Sequence, residues 1–339
     1  MSEVRAPIST VSVPVIESPS VEPDIADRLR RFIDRTSFTR GGFITDLDGT
    51  VVFETQGTTL LAPEVEHAIK LLYELGRPLM LNSLRFPLSV MRTFGADWYR
   101  LSNAAIPVVS LNGSQIGRIY EATPGELGFE ELAAFPLDAD EIDRVLRQVT
   151  SLVDGGLHDL LLFYYPRDWR LGEIIWTPTL ERAEEARQRY RSASAVDVSD
   201  LDELRRRLTE REICMIFLLV QATDDVLMAY QHTKRSNFYT RAGVAKLSGA
   251  VELARQLDVD LFHSLGAGDT EMDRFLDGVG LALHVGPQVL PYRGKLDTIR
   301  VRDAGALASL LFHFAALQRE SAGRAHDSSP SAASPSFPR

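Results

Sequence analysis

The apolar pattern of this 339-residue chain predicts an α/β fold, a doubly wound parallel sheet interrupted by an inserted α+β domain. Three observations carry that prediction. Short apolar runs alternate with helical patterns early in the chain, the same alternation returns near its end, and the stretch between follows a different, strand-rich rhythm.

In order, residues 1–25 are rich in Ser, Pro, Val and Glu and read as a disordered N-terminal tail. Gly42–Thr45 reads as a short strand ending at Asp46. Pro63–Leu75 has helical spacing (Val65, Ile69, Leu72) and stops at Gly76. Pro78–Leu81 reads as a strand, Pro87–Phe94 as a short helix, and Ile106–Leu111 as a third strand closed by the Asn112-Gly113 turn. The middle section gives helices at Asp138–Val153, Leu180–Tyr190, Asp200–Glu210 and Asp224–Tyr230. Its strands fall at Leu160–Tyr164, Glu173–Trp176 and Cys214–Val220. The first rhythm then resumes with a helix at Val244–Leu257, a strand at Leu261–Leu265, a helix start at Glu271–Leu276, a strand at Gly280–His284 and a helix at Ala304–Leu317. Residues 320–339 close in a Ser/Pro/Ala string, read as a second tail. The expected division is a core of 26–114 and 235–319, with an insert at 115–234 hinged near Gly113 and Ser236.

Composition narrows the function. A net charge of −10 argues against a nucleic-acid surface. No apolar run is long enough to span a membrane, and the first residues lack the apolar stretch of a secretory signal. A cytoplasmic protein with no membrane partner is the expectation; the oligomeric state is not readable. Cys214 is the only cysteine and sits in an apolar run, which excludes a disulfide framework or a cysteine-based zinc site.

Two acidic motifs stand out. Asp46-Leu47-Asp48-Gly49-Thr50 follows a strand, so two carboxylates can turn toward one point at the strand end, with Gly49 permitting the tight turn. Such a pair can divide labour between nucleophile and general acid/base, and oxygen ligands of this kind suit Mg²⁺. Gly268-Asp269 with Asp273, four residues on, follows a later strand, on the edge where open α/β sheets bind ligands. Each motif has a bland reading, a turn for the first and a helix cap for the second. Their joint chance occurrence is on the order of 1 in 10⁴.

Together these residues resemble the haloacid dehalogenase-like (HAD) superfamily, specifically its phosphatases with a type IIB cap. The first motif is Asp46-Leu47-Asp48-Gly49-Thr50. The second is Leu79-Met80-Leu81-Asn82-Ser83, a strand ending in a hydroxyl residue, with Arg85 two further on. The third is Lys246, and the fourth is Gly268-Asp269 with Asp273. The resemblance covers about residues 40–115 and 235–315, implying a Rossmann-like core with the insert as cap. Similar caps occur in trehalose-, sucrose- and mannosylglycerate-phosphate phosphatases.

The resemblance implies a Mg²⁺-dependent phosphatase acting on a small phosphate ester, with a sugar phosphate favoured. Asp46 would be the nucleophile and Asp48 the general acid/base. Asp46, the Asp48 backbone carbonyl and Asp269 would hold the metal, with Asp273 behind them. Ser83, Lys246, Gly49 and Arg85 would meet the phosphate. The presence of Asp48 favours phosphate esters over haloacids. A phosphomutase or phosphotransferase on the same scaffold, or a non-catalytic scaffold module, are the alternatives. Met272 departs from the Asn common in relatives before the last Asp. In the insert, Tyr164, Tyr165, Arg167, Trp169, Arg170 and Trp176 could stack on a sugar and pair with a second anion, though such a cluster is far more often core and rim packing. Arg205-Arg206-Arg207 reads as a solvated helix face, and His263 and His284 as structural.

Overall fold

The computed structural model describes residues 23–37, 40–55, 58–220 and 238–327. In chain order the elements are α1 (Pro23–Arg35), β1 (Phe43–Thr45), β2 (Val52–Thr55), β3 (Thr58–Leu61), α2 (Pro63–Glu74), β4 (Leu79–Asn82), α3 (Pro87–Val90), α4 (Ala96–Ser102) and β5 (Ile106–Ser110). There follow β6 (Gln115–Thr123), β7 (Glu126–Ala134), α5 (Ala139–Asp154), β8 (Leu161–Pro166), β9 (Ile174–Thr177), α6 (Leu180–Arg189), β10 (Ala195–Val198), α7 (Leu201–Thr209) and β11 (Ile213–Leu219). The chain ends with β12 (Phe238–Tyr239), α8 (Lys246–Gln256), β13 (Leu265–Gly268), β14 (Leu281–Val285), β15 (Asp297–Val301) and α9 (Ala304–Asp327).

The large sheet runs β15-β14-β13-β1-β4-β5-β6-β7. Its first six strands are parallel, and β6 and β7 add an antiparallel hairpin. Period-two alternation sends its residues to two cores. Phe43, Leu79, Leu81, Leu265 and Leu283 pack with α1, α2 and α9; Ile44, Met80, Val109 and Ala282 pack with α8. Both faces are covered, as a parallel sheet requires. From β1 the chain first builds outward through β4 and β5, then returns to β13 on the other side. The strand order reverses beside β1, and the crevice at its carboxyl end is where such folds bind ligands.

The smaller sheet runs β10-β9-β8-β11-β12. One face packs against α5 and α7 through Tyr164, Trp176, Leu204 and Ile216. The other buries Phe163, Tyr165, Ile175, Met215 and Phe217 together with Ala186 and Tyr190 at α6 and with Leu84, Phe86, Leu111 and Met272, the last four from loops at the carboxyl edge of the large sheet. The insert thus lies over that edge as a roof. α5 begins with a reciprocal cap, Asp138 accepting from Glu141 N and Glu141 accepting from Asp138 N.

Several expectations shift. The expected insert starts at 115, yet the hairpin of β6 and β7 hydrogen-bonds onto β5 in the large sheet; the smaller sheet's strands begin at Leu161 and still include Phe238–Tyr239. Residues 23–25 begin α1, which buries Ala26, Leu29 and Phe32 at helical spacing, and α9 continues to Asp327, beyond the expected tail boundary. Leu261–Leu265 is not a strand. Asp260 accepts from Phe262 N and bends Leu261–His263 into a short 3-10 turn; the strand is Leu265–Gly268. Its glycines disguised it. A Cβ on Gly266 would lie 2.9 Å from Val279, and one on Gly268 2.7 Å from Asp273, so close packing excludes β-branched residues there. The helix expected at Asp224–Tyr230, the hinge near Ser236, and residues 1–22 and 328–339 of the tails lie outside the described residues.

Candidate active site

β1 delivers Asp46 to the crevice. Its N–H donates to Ala267 O at 3.0 Å, so Asp46 occupies the last laddered position of the strand. Leu47 then turns inward, fully buried, and its carbonyl accepts from Val51 N (3.0 Å) and Val52 N (2.8 Å). That anchor leaves Asp46 and Asp48 on the other side. Gly49 closes the loop at φ +76°, and its N–H is used internally on Val52 O at 3.0 Å. A Cβ there would meet Asp269 Oδ2 at 2.1 Å. Gly49 therefore serves the turn and the approach of Asp269.

Lys246, the first residue of α8, is buried, with Nζ 2.8 Å from Asp46 Oδ1 and 2.7 Å from Asp273 Oδ1. The start of α8 is tied to the end of β4 by Asn82 Nδ2 donating to Lys246 O at 2.9 Å. Asp273 is fully engaged. Its Oδ2 accepts from Asp269 N (2.9 Å) and Thr270 N (3.0 Å), so it both aims Lys246 and folds the loop carrying Asp269. Asp269 Oδ1 accepts from Thr50 Oγ1 at 2.9 Å, joining the two acidic loops.

Asp48 has a different partner. Arg85 grips it with both arms, Nε to Oδ2 at 2.8 Å and Nη2 to Oδ1 at 2.6 Å, while Nη1 donates to Ser89 Oγ at 3.0 Å. This guanidinium, expected at a phosphate, is directed to the second carboxylate. Ser83 is fully buried, and its Oγ accepts from Arg85 N at 3.1 Å, leaving the hydroxyl proton to donate elsewhere.

Electrostatically the site is crowded. Burial pushes the Asp46 carboxyl well above the usual carboxylate range; Lys246 pulls it down, and Asp273, Asp269 and Asp48 push it up again. Asp269 is raised to about 7 by burial and then by Asp273, with the Thr50 hydrogen bond acting the other way. Burial disfavours the Lys246 ammonium, but Asp273 and Asp46 more than offset it and hold the lysine charged. Asp46, Asp269 and Asp273 each offer a ligand atom within 4.8 Å of the others. Three carboxylates face a single lysine there, and this all-oxygen, surplus-negative donor set suits a hard divalent cation.

All the residues singled out in the two acidic motifs, together with Ser83, Arg85 and Lys246, converge on this edge. Sequence reading quoted Thr50 and Asn82 within its motifs but gave them no role, and missed Ser89; they orient Asp269, Lys246 and Arg85. Each lies inside or next to a recognised motif, but nothing in a linear spacing shows whom it contacts. The aromatic set of the insert divides. Tyr164 and Trp176 point to the helix side, Trp169 packs edge-on against Phe129 of β7, and Tyr165 alone of these faces the site's loops, its ring 5.6 Å from Phe86.

No family model matches the sequence, and no curated protein does so significantly. Solved structures do match. A phosphatase of the HAD superfamily from Bacteroides thetaiotaomicron is 16% identical, with a TM-score of 0.55 over 83% of this chain and 97% of its own. A sugar phosphatase of HAD subclass IIB is 14% identical, with a TM-score of 0.56 over 81% and 98%. A member of a phosphoryl-transfer superfamily, studied for a trigonal-bipyramidal intermediate, is 13% identical, with a TM-score of 0.56 over 80% and 98%. The fold of this chain is similar to theirs over four-fifths or more of its length.

Proposed function

We propose that this chain is a Mg²⁺-dependent phosphatase that hydrolyses a small phosphorylated metabolite, a sugar phosphate in particular, through an aspartyl-phosphate on Asp46. The observation that carries the reading is the convergence, at one crevice, of Asp46 on Lys246 with a second carboxylate, Asp48, separately oriented by Arg85.

Phosphoryl transfer asks the protein mainly for positioning and charge neutralisation. Asp46 attacks phosphorus in line with the leaving oxygen. Lys246, held charged by Asp273, and the Ser83 hydroxyl take the phosphoryl oxygens. Asp48 donates a proton to the leaving alkoxide and then takes one from the water that opens the acyl phosphate; such help is worth about 10²–10⁴-fold. Arg85 acts on Asp48, fixing the carboxylate's orientation. Asp46, the Asp48 carbonyl and Asp269 would hold Mg²⁺, with Asp273 behind them. When bound, the cation would offset the surplus negative charge and neutralise phosphate against Asp46. A single acid/base beside the nucleophile also suits a phosphotransferase, and turnover without an added acceptor separates the two.

The test is phosphate release from a panel of phosphorylated sugars and other metabolites, with Mg²⁺ and with EDTA. Metal-dependent release is expected from at least one ester. No release from any ester by a protein that binds Mg²⁺ would overturn the reading.

A further inference from the structure

Two buried carboxylates lie outside this machinery, Glu141, which caps α5, and Glu173, which has an oxygen without a partner among the described residues. Glu173, just before β9, is fully buried. Tyr165 Oη donates to its Oε2 at 2.6 Å, while Oε1 has no hydrogen-bond partner among the described residues. Burial pushes the carboxyl up to about 7, against the pull of the Tyr165 hydrogen bond. A half-satisfied buried carboxyl is costly, and an apolar residue of the same volume would pack without that penalty.

Its position is informative. Strand alternation puts Glu173 on the same face of the smaller sheet as Ile175, opposite Tyr165 on β8. That face also carries Phe163, Tyr165, Met215 and Phe217, in one cluster with Tyr190 after α6 and with Leu84, Phe86, Leu111 and Met272 of the loops below. Phe86 directly follows Arg85, which grips Asp48, and its ring meets that of Tyr165. Asp46 is only 5% exposed beneath this roof. Phe86, Tyr165 and Glu173 thus form one line of contact that starts at the loop carrying Arg85, the Phe86 ring meeting that of Tyr165 and the Tyr165 hydroxyl donating to Glu173.

Resting on the phosphatase reading, we propose that Glu173, supported by Tyr165, determines specificity by accepting a hydrogen bond from a hydroxyl of a polyhydroxylated leaving group. The aromatic rings around it supply apolar faces for a sugar, and the unpaired oxygen supplies the discrimination. A site built to pair a donor rejects analogues lacking one, because the buried group is then left unsatisfied.

The experiment compares kcat/KM on sugar and polyol phosphates with kcat/KM on p-nitrophenyl phosphate, whose leaving group has no such hydroxyl. Wild type, Glu173→Met, Glu173→Gln and Tyr165→Phe are assayed. Glu173→Met is expected to lower the polyol-to-nitrophenyl ratio by about 10–100-fold, mostly through KM, with Glu173→Gln and Tyr165→Phe between it and wild type. Thermal melts should show Glu173→Met close to wild type, since removal of the half-satisfied carboxyl offsets the acceptor that the Tyr165 hydroxyl loses. An unchanged ratio, whether both substrates suffer equally or neither does, overturns the proposal, as does a wild type that shows no preference for polyols. Loss confined to an amine-bearing ester would assign the donor as an ammonium and overturn the hydroxyl. Nitrophenyl turnover by wild type, abolished in Asp46→Asn, shows separately whether the phosphatase reading itself stands.

Discussion

The carboxyl edge of the large sheet and the roof above it solve opposite problems. At the edge, charges are buried but partnered: Lys246 sits between Asp46 and Asp273, Arg85 forks Asp48, and Thr50 reaches Asp269. On the roof, apolar packing is nearly complete and one carboxylate, Glu173, is left half-paired. A network that pairs its charges internally is pre-organised, as the proposed reaction at phosphorus requires. A surface that leaves a buried carboxylate oxygen without a partner among the described residues is open to completion by something else. The difference separates what the reaction needs from what the substrate supplies.

The largest effects should come from breaking the edge. Asp46→Asn removes the nucleophile while preserving shape, and a loss of at least about 10⁴-fold in kcat is expected in steady-state assays. Lys246→Met leaves Asp46 and Asp273 buried without their cation; denaturant melts should show a loss of about 3–5 kcal/mol, alongside loss of turnover. Arg85→Lys keeps the charge but not the fork, and should slow alkyl phosphates by about 10–100-fold while sparing good leaving groups such as nitrophenol, which need less help from Asp48.

A subtler effect ties the two regions together through pH. Glu173 and Asp269 are both held up to about 7 in the folded chain by burial, above ordinary carboxyl values. Between those values the folded protein binds more protons than the unfolded chain, so stability should fall as pH rises through that window, with the deficit complete above about pH 7. Melting the metal-free protein from about pH 5 to pH 8 should show the decline. Glu173→Met should remove the roof's share, and saturating Mg²⁺ the edge's share. The smallest effect is expected at the junction, where Arg167 joins Glu131 of β7 (2.7 Å) to Glu212 beside β11 (2.9 Å). These groups are partly exposed, so Arg167→Met should shift stability by no more than about 1 kcal/mol in a denaturant melt.

The same contrast explains what was legible in the sequence. The edge is local chemistry: Asp46 and Asp48 lie within one turn, Asp269 and Asp273 within another, and strand-then-acid order placed both at the carboxyl end of a parallel sheet. Their partners were harder to read. Arg85 was expected at a phosphate, yet a guanidinium two residues past Ser83 reaches Asp48 across 37 positions of sequence, a distance that spacing cannot report. The hairpin of β6 and β7 went unassigned because β6 passes from a buried half to an exposed one and β7, the Glu-rich edge strand, is mostly half-buried, so neither shows a clean alternation. Glu173 was read only as a strand residue. Its meaning depends on which face of β9 looks down on the core, and that register is set by pairing with β8, not by its neighbours in sequence.

The central claim is that Asp46 carries the phosphoryl group. Rapid acid quench during turnover with Mg²⁺ and the best ester, followed by mass spectrometry of the digest, tests it most directly. The expected result is the mass of one phosphoryl group on the peptide containing Asp46, absent from Asp46→Asn, which should also have lost turnover. Full turnover by Asp46→Asn, or a label found on another residue, would contradict it.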